Sequence, residues 1–333
     1  MGDPRYELIT LLADGAWHTG VRLGAELGLS RAAIWKQVGV LRSTGLEVLT
    51  DRRLGYRLAA PLQLLDADAV RAFLEPQVRA AMTCLEVLLI TGSTSERIAS
   101  MPAPVPGAML ACAAEYQSGG RGRRGRRWFS PLGYGLCLSV SWCYEVAPRD
   151  LAALGLVIGV AVAEVLSALV PGDVVRLKWP NDIIADGGKL GGILVEVSGE
   201  SGGPLRIVIG IGVNVRASPR LAPEVDADGG NLRPATLDTL VPERQISRNQ
   251  LAGCLLNALY RNLGEFADSG FAAFAPRWRR RDYLFGQPVA VSSGSQTIRG
   301  IAAGIADDGA LLIDVGGRLV PVLSGDVTLR LKP

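Results

Sequence analysis

Residues 108–140 read AMLACAAEYQSGGRGRRGRRWFSPLGYGLCLSV, an apolar run, a glycine–arginine segment and a second apolar run. The flanking runs, 108–114 and 136–140, have the length and composition of buried strands, whereas 115–128, EYQSGGRGRRGRRW, favours neither helix nor strand. Arg121, Arg123, Arg124, Arg126 and Arg127 are crowded among glycines 119, 120, 122 and 125. Such a segment repels itself and has a free backbone, so it is expected to be mobile until a polyanion neutralises it. Arginine forks and glycine-exposed N–H groups suit a nucleotide's phosphates. A basic loop also suits DNA, but its place between two strands of an α/β unit favours a small phosphate ligand.

Outward from this segment the pattern stays α/β. Strands are expected at 85–90, 174–178 and 207–215, with a hairpin over 181–185 and 192–197 turning at Asp186-Gly187. The apolar run 151–170 is long enough to span a bilayer, but Glu164 inside it would cost about 2.5–3.5 kcal/mol at a membrane centre. A helix on the sheet fits better. Three stretches join the arginine loop as site candidates: GSTSE (92–96), KWPND with GGKLGG (178–182, 187–192), and GIGVN (210–214). Pro180 fixes a bend from which Asn181 and Asp182 project, and Asp182 suits a Mg²⁺ ion or a ribose hydroxyl. Lys189, between glycines, can set a point charge against a carboxylate or an α-phosphate, though taken alone the stretch reads more readily as a plain hairpin turn with an exposed lysine. The hydroxyls of Ser93, Thr94 and Ser95 can cap a helix or bind a polar head group.

Before residue 65 the chain has three short helical patterns. The third starts after Ser30 and stops at Gly45, and a hairpin follows with Asp51-Arg52-Arg53 at its tip. This is a winged helix-turn-helix. Arg31, Lys36, Gln37 and Arg42 lie on the third helix and Arg52 and Arg53 on the wing, placed for DNA, although such units also dock proteins. Trp35 is read as core and His18 as a surface loop residue. Past residue 281, short β runs to 331 punctuated by glycine predict a small β-barrel. The expected division is a winged helix over 1–64, a catalytic α/β domain over 65–280 and an SH3-like domain over 281–333.

The 333 residues carry a net charge of +3, too little to mark a nucleic-acid protein without clustering, and 20% charged residues exclude global disorder. Five cysteines without a CxxC pair and a single histidine argue against zinc and a disulfide framework, and no secretory signal is visible. A reducing cytoplasm is the expected compartment.

GSTSE, EYQSGGRGRRGRRW, LKWPND, GGKLGGILVE and IGIGVN, in this order, resemble the biotin protein ligases. SRAAIWKQVGVLRSTG in the winged helix is similar to the bifunctional members that also repress biotin-synthesis genes. The resemblance covers nearly the whole chain. It implies that biotin and Mg-ATP give biotinyl-adenylate and pyrophosphate, and that a lysine of a biotin carboxyl carrier domain then takes the biotinyl group. It assigns Lys189, Arg123 and Arg126 to catalysis. Biotin falls to Ser93, Thr94, Gln117, Gly120, Arg121, Lys189, Gly191 and Gly192. The adenylate falls to Arg123, Trp128, Asn181, Asp182 and Asn214, and Asp182 to Mg²⁺. It also implies operator DNA as partner and a homodimer formed on adenylate binding, with no membrane. Ser95 stands where members often carry asparagine, Trp35 where they have a small or polar residue, and Pro234 where an aromatic is expected near the adenine. Two other readings are a ligand-gated regulator without ligase activity and a lipoate-type ligase.

Overall fold

The computed structural model describes residues 4–199, 203–223, 232–293 and 296–329. Helices α1 (Pro4–Leu12), α2 (Gly20–Leu27) and α3 (Arg31–Ser43) precede a hairpin of β1 (Val48–Asp51) and β2 (Gly55–Leu58), paired antiparallel with Val48 opposite Leu58. Thr19 and Ser30 cap α2 and α3 by accepting from Arg22 N and Ala33 N, and Gly28 ends α2 at φ 64°.

Two expectations reverse here. Ile34, Val38 and Leu41 take the inner face of α3, so the phase of the helix turns Trp35 outward, 67% exposed. His18 is buried: its backbone pairs with Tyr56 and its Nε2 lies 2.9 Å from Asp14 Oδ1. The core of this unit also runs past residue 64, because Leu89 and Leu132 belong to it.

Helices α4 (Ala67–Ala72) and α5 (Pro76–Ala81) lead into the main sheet of β3 (Met82–Thr91), β4 (Met109–Gln117), β5 (Gly135–Tyr144), β6 (Arg176–Lys178), β7 (Asp182–Ala185), β8 (Gly188–Gly199) and β9 (Leu205–Asn214). The strand order is β3-β4-β5-β9-β8-β7-β6, and only β3 and β4 run parallel. Helix α6 (Thr94–Ala99) lies against β4, β5 and β9. The apolar run becomes a 3₁₀ turn and α7 (Leu154–Ser167), packed on β8 and on the later α9 (Arg248–Ser269), which follows the short α8 (Leu237–Leu240). Glu164 ion-pairs with Arg277 of α10 (Ala275–Arg279) at 2.6 Å.

A buried ion pair fixes the connector to this core. Arg248 grips Glu115 of β4 through two nitrogens at 2.6 and 3.1 Å and also donates to Gln63 O, while Leu65 N donates to Glu115 Oε1.

The terminal strands are β10 (Pro288–Ser293), β11 (Gln296–Ile305), β12 (Leu311–Val315), β13 (Arg318–Val322) and β14 (Asp326–Leu329), in the order β13-β12-β11-β10-β14. The expected barrel is corrected to an open antiparallel sheet. β11 is irregular between Ala302 and Ile305, but among the described residues β13 and β14 each pair on one side only. Strand periodicity predicts strands; closure depends on partners it does not encode. The last residues of the expected final strand, 330–331, lie outside the described residues.

Candidate active site

Strand ends of the main sheet and the arginine loop enclose a cavity of about 230 Å³. Its wall takes in Ser93, Thr94, Gln117, Arg121, Arg123, Arg126, Trp128, Asn181, Asp182, Lys189, Gly192 and Asn214. Gly120 and Gly191 are not among the residues of that wall. Trp128 N donates to Gly120 O at the neck of the loop, and Gly191 pairs with Ile183 and Val213.

The loop is folded in this state. Arg123–Gly125 form one 3₁₀ turn with Arg124 at φ 56°, and Arg121 bridges Arg127. The repulsion foreseen from sequence is offset by partners distant in the chain: Arg121 reaches Glu196 at 2.9 Å and Glu96 at 3.5 Å, and Arg124 donates to Ser292 O of the terminal sheet.

Trp128 turns from the loop onto bare strand. A Cβ at Gly212 would fall 2.2 Å from its Cε2, so only glycine there lets the indole lie against β9. Opposite, Lys189 Nζ is 5.9 Å from the indole centroid and 2.6 Å from Asp182 Oδ1. The Lys189 backbone is held on both sides, donating to Arg233 O and accepting from Ala235 N and Asn214 Nδ2. Asn181 Nδ2 donates to Ile193 O, so its amide braces β8. The Trp179–Pro180 bond is cis, and Trp179 Nε1 donates to Gly309 O.

From the sequence, Lys178 is named only as part of the KWPND stretch, with no role, and Ser139, which packs against the site without lining its wall, is not named. Lys178, 7% exposed, lies 3.7 Å from Asp182 Oδ2. Its position in a strand otherwise destined for burial was the available signal, since a buried lysine needs a partner. Ser139, fully buried on β5, hydrogen-bonds both Thr94 and Ser95, and no sequence signal distinguishes it from any strand serine. Leu221, Leu232 and Val327 also line the wall, as does Pro234, the residue that stands where an aromatic is expected near the adenine; 224–231 lie outside the described residues.

Among the described residues no three His, Cys, Asp or Glu gather as a metal site, and no helix is long and apolar enough to cross a membrane. Burial pushes the Cys137 and Cys112 thiols up to about 12, so these cysteines stay protonated at neutral pH.

On the winged helix, Arg31 and Lys36 are exposed beside Trp35, and Gln37 is half-buried. Arg42 is occupied within the domain, donating to Val48 O and Thr50 Oγ1, and so ties α3 to the wing.

Comparison with known proteins agrees with this architecture. Residues 91–214 match the biotin/lipoate A/B protein ligase family, 284–330 the biotin protein ligase C-terminal domain, and 5–57 a helix-turn-helix domain. The chain is 41% identical to the bifunctional ligase/repressor BirA of Salmonella typhimurium over 97% of this chain and 96% of that protein. It is 40% identical to its Escherichia coli counterpart over the same shares. A solved biotin protein ligase from Aquifex aeolicus, in complex with biotin and ATP, superposes with a TM-score of 0.59 at 28% identity, covering 75% of this chain and 99% of that one. The three matched regions and the near full-length identity to ligase/repressors place this chain in the biotin protein ligase family, among its bifunctional members.

Proposed function

We propose that this chain activates biotin with ATP, transfers it to a lysine of a biotin carboxyl carrier domain, and, when loaded, represses biotin-synthesis genes through its winged helix. The observation that carries the reading is Lys189, held between Asp182 and Trp128 in a cavity walled by Arg123 and Arg126.

In the first step a biotin carboxylate oxygen attacks the α-phosphorus of ATP, and the bond to the β-phosphate oxygen breaks to release pyrophosphate. Two anions must meet. Lys189, Arg123 and Arg126 offset their repulsion and hold the charge that develops on the phosphorus oxygens. In the second step a neutral lysine amine attacks the mixed anhydride's carbonyl carbon, AMP leaves and the nitrogen gives up a proton. Closure of the arginine loop keeps water from the anhydride. Ser93, Thr94, Gln117 and the glycine strand about Gly192 receive the biotin ring system; Trp128, laid on Gly212, is an apolar floor shared by the biotinyl chain and the adenylate, which Asn181, Asp182 and Asn214 flank.

Magnesium fits as a companion of ATP. Among the described residues the cavity wall offers one carboxylate, Asp182, shared with two lysines, which suits an ion bringing most of its oxygens from phosphate and water. When bound it neutralises phosphate charge.

The division of labour proposed is DNA binding in 1–64, catalysis in 65–280 and a covering wall from 281–333. Two winged helices of a homodimer would span a two-fold operator. Mixing the protein with biotin, Mg-ATP and a biotin carboxyl carrier domain should label the acceptor lysine. Folded protein that transfers nothing sinks the ligase reading and leaves the ligand-gated regulator. Sedimentation with and without biotin and ATP should show the dimer only in the loaded sample.

A further inference from the structure

The winged unit carries one indole that neither its core nor the cavity uses. Ile34, Val38 and Leu41 fill the inner side of α3, and the helical period turns Trp35 away from them, 67% exposed. Among the described residues no ring or cation stacks on Trp35, whereas Trp17 of the same unit has the Arg57 guanidinium 4.9 Å from its ring centroid. Its neighbours one turn away on the same face are small. Ala32 and Gly39 are both exposed, and a Cβ at Gly39 would meet nothing within 4 Å. The indole therefore stands clear of the helix surface. Around it α3 bears cations and no carboxylate, with Arg31 and Lys36 exposed beside the ring. The wing turn, in which Asp51 Oδ1 accepts from Arg53 N and Leu54 N, adds the exposed Arg52 and Arg53.

We infer that Trp35 is a specificity residue for DNA, which packs its indole against the 5-methyl group of a thymine in the major groove; this rests on the repressor reading and names the feature of the duplex that is read. A face with exposed cations and no acid suits a polyanion rather than a protein surface. Within the groove an indole has a single N–H, so it cannot pair bidentately with a base edge as Arg, Asn or Gln can. Its broad apolar face has one apolar counterpart there. The thymine methyl is that group, the other marks on the base edges being hydrogen-bond donors and acceptors. Ala32 and Gly39 let the helix come close enough for the ring to reach it, since longer side chains at those positions would meet the bases first. Arg42 is engaged by Val48 O and Thr50 Oγ1 and Gln37 is half-buried, which leaves Trp35 as the large exposed side chain of α3 for base contact. Lys36 is then a phosphate contact, which positions the helix without reading sequence.

The test is a uracil scan. Fluorescence anisotropy follows the full-length protein, with biotin and Mg-ATP, on the duplex upstream of the biotin-synthesis genes and on copies in which one thymine is replaced by uracil. Each replacement deletes a methyl and leaves the base pair intact. Wild type should lose about fourfold in affinity at one thymine and at its two-fold mate, the scale of one buried methyl group. Trp35→Ala should bind the unmodified duplex about tenfold more weakly and lose nothing further at those two positions. It should keep the wild-type slope of log affinity against log salt, because an indole neutralises no phosphate. A variant with a disrupted α3 would lose that slope as well. Trp35→Phe, which keeps an apolar ring, should recover part of the methyl sensitivity and stands as the second variant. Biotin transfer to the carrier domain should be unchanged in both, since Trp35 lies outside the cavity wall. No methyl-sensitive thymine in wild type, or wild-type sensitivity in Trp35→Ala, overturns the inference while the repressor reading stands. Trp35→Ala that keeps its DNA affinity but no longer dimerises in sedimentation makes the indole a protein contact and overturns it equally. Wild type that binds a scrambled duplex as tightly removes both.

Discussion

Lys189 Nζ sits 2.6 Å from Asp182 Oδ1, across the β7–β8 hairpin that positions both residues. Paired with Asp182 and lying over the Trp128 ring, the ammonium is held in the cavity at a defined place rather than sampling solvent, so a ligand carboxylate or phosphate meets a charge already oriented.

Lys189→Ala should therefore lower ATP–pyrophosphate exchange by roughly 10²–10³-fold, the scale of removing one charge stabiliser from a transition state. Thermal melting and circular dichroism should change little, because the lysine backbone is held by Arg233, Ala235 and Asn214 independently of its side chain. Unchanged exchange would reduce Lys189 to a turn residue.

Gly212→Ala puts a methyl where Trp128 lies, 2.2 Å from Cε2. The indole must leave β9, and overpacking of this sort costs about 1–3 kcal/mol. Titration calorimetry should show biotin affinity falling at least tenfold, and Trp128 fluorescence should report a wetter indole.

Arg248→Met leaves Glu115 charged in the core beneath the connector. Removing one partner of a buried pair costs about 3–5 kcal/mol, read as a shift of the urea midpoint at constant m. Adding Glu115→Gln should recover part of that loss; if the double variant is as unstable as the sum of both singles, the pair is not acting as a unit.

For DNA, Lys36→Ala should weaken binding to the duplex upstream of the biotin-synthesis genes and flatten the dependence of log affinity on log salt by about one unit. Arg42→Ala should act differently, lowering the stability of the winged helix by freeing the wing strand. Fluorescence anisotropy at four salt concentrations separates the two.

The buried thiols give a pH prediction. Cys137 and Cys112 are pushed up to about 12 in the fold, against about 8.5 for an unfolded thiol. The fold favours the protonated form, so this contribution is complete below about pH 8.5 and is lost as pH rises toward 12. Denaturation midpoints should fall over that window, and Cys137→Ala should flatten the slope.

What the chain spelled locally was the three helices of the winged unit, the apolar helix after residue 151, the strands, the winged hairpin and the glycine–arginine loop, because caps, turns and hydrophobic period act over a few residues, whereas the long helix Arg248–Ser269 went unread. Trp35 and His18 were misplaced because facing inward depends on helix phase and on Tyr56, 38 residues further on, which pairs with the His18 backbone. The open terminal sheet, the bed of Trp128 on Gly212 and the hydroxyl chain through Ser139 were decided by tertiary structure alone. Each rests on contacts between segments tens of residues apart, and β pairing between distant strands carries no local signature that would announce which serine meets which.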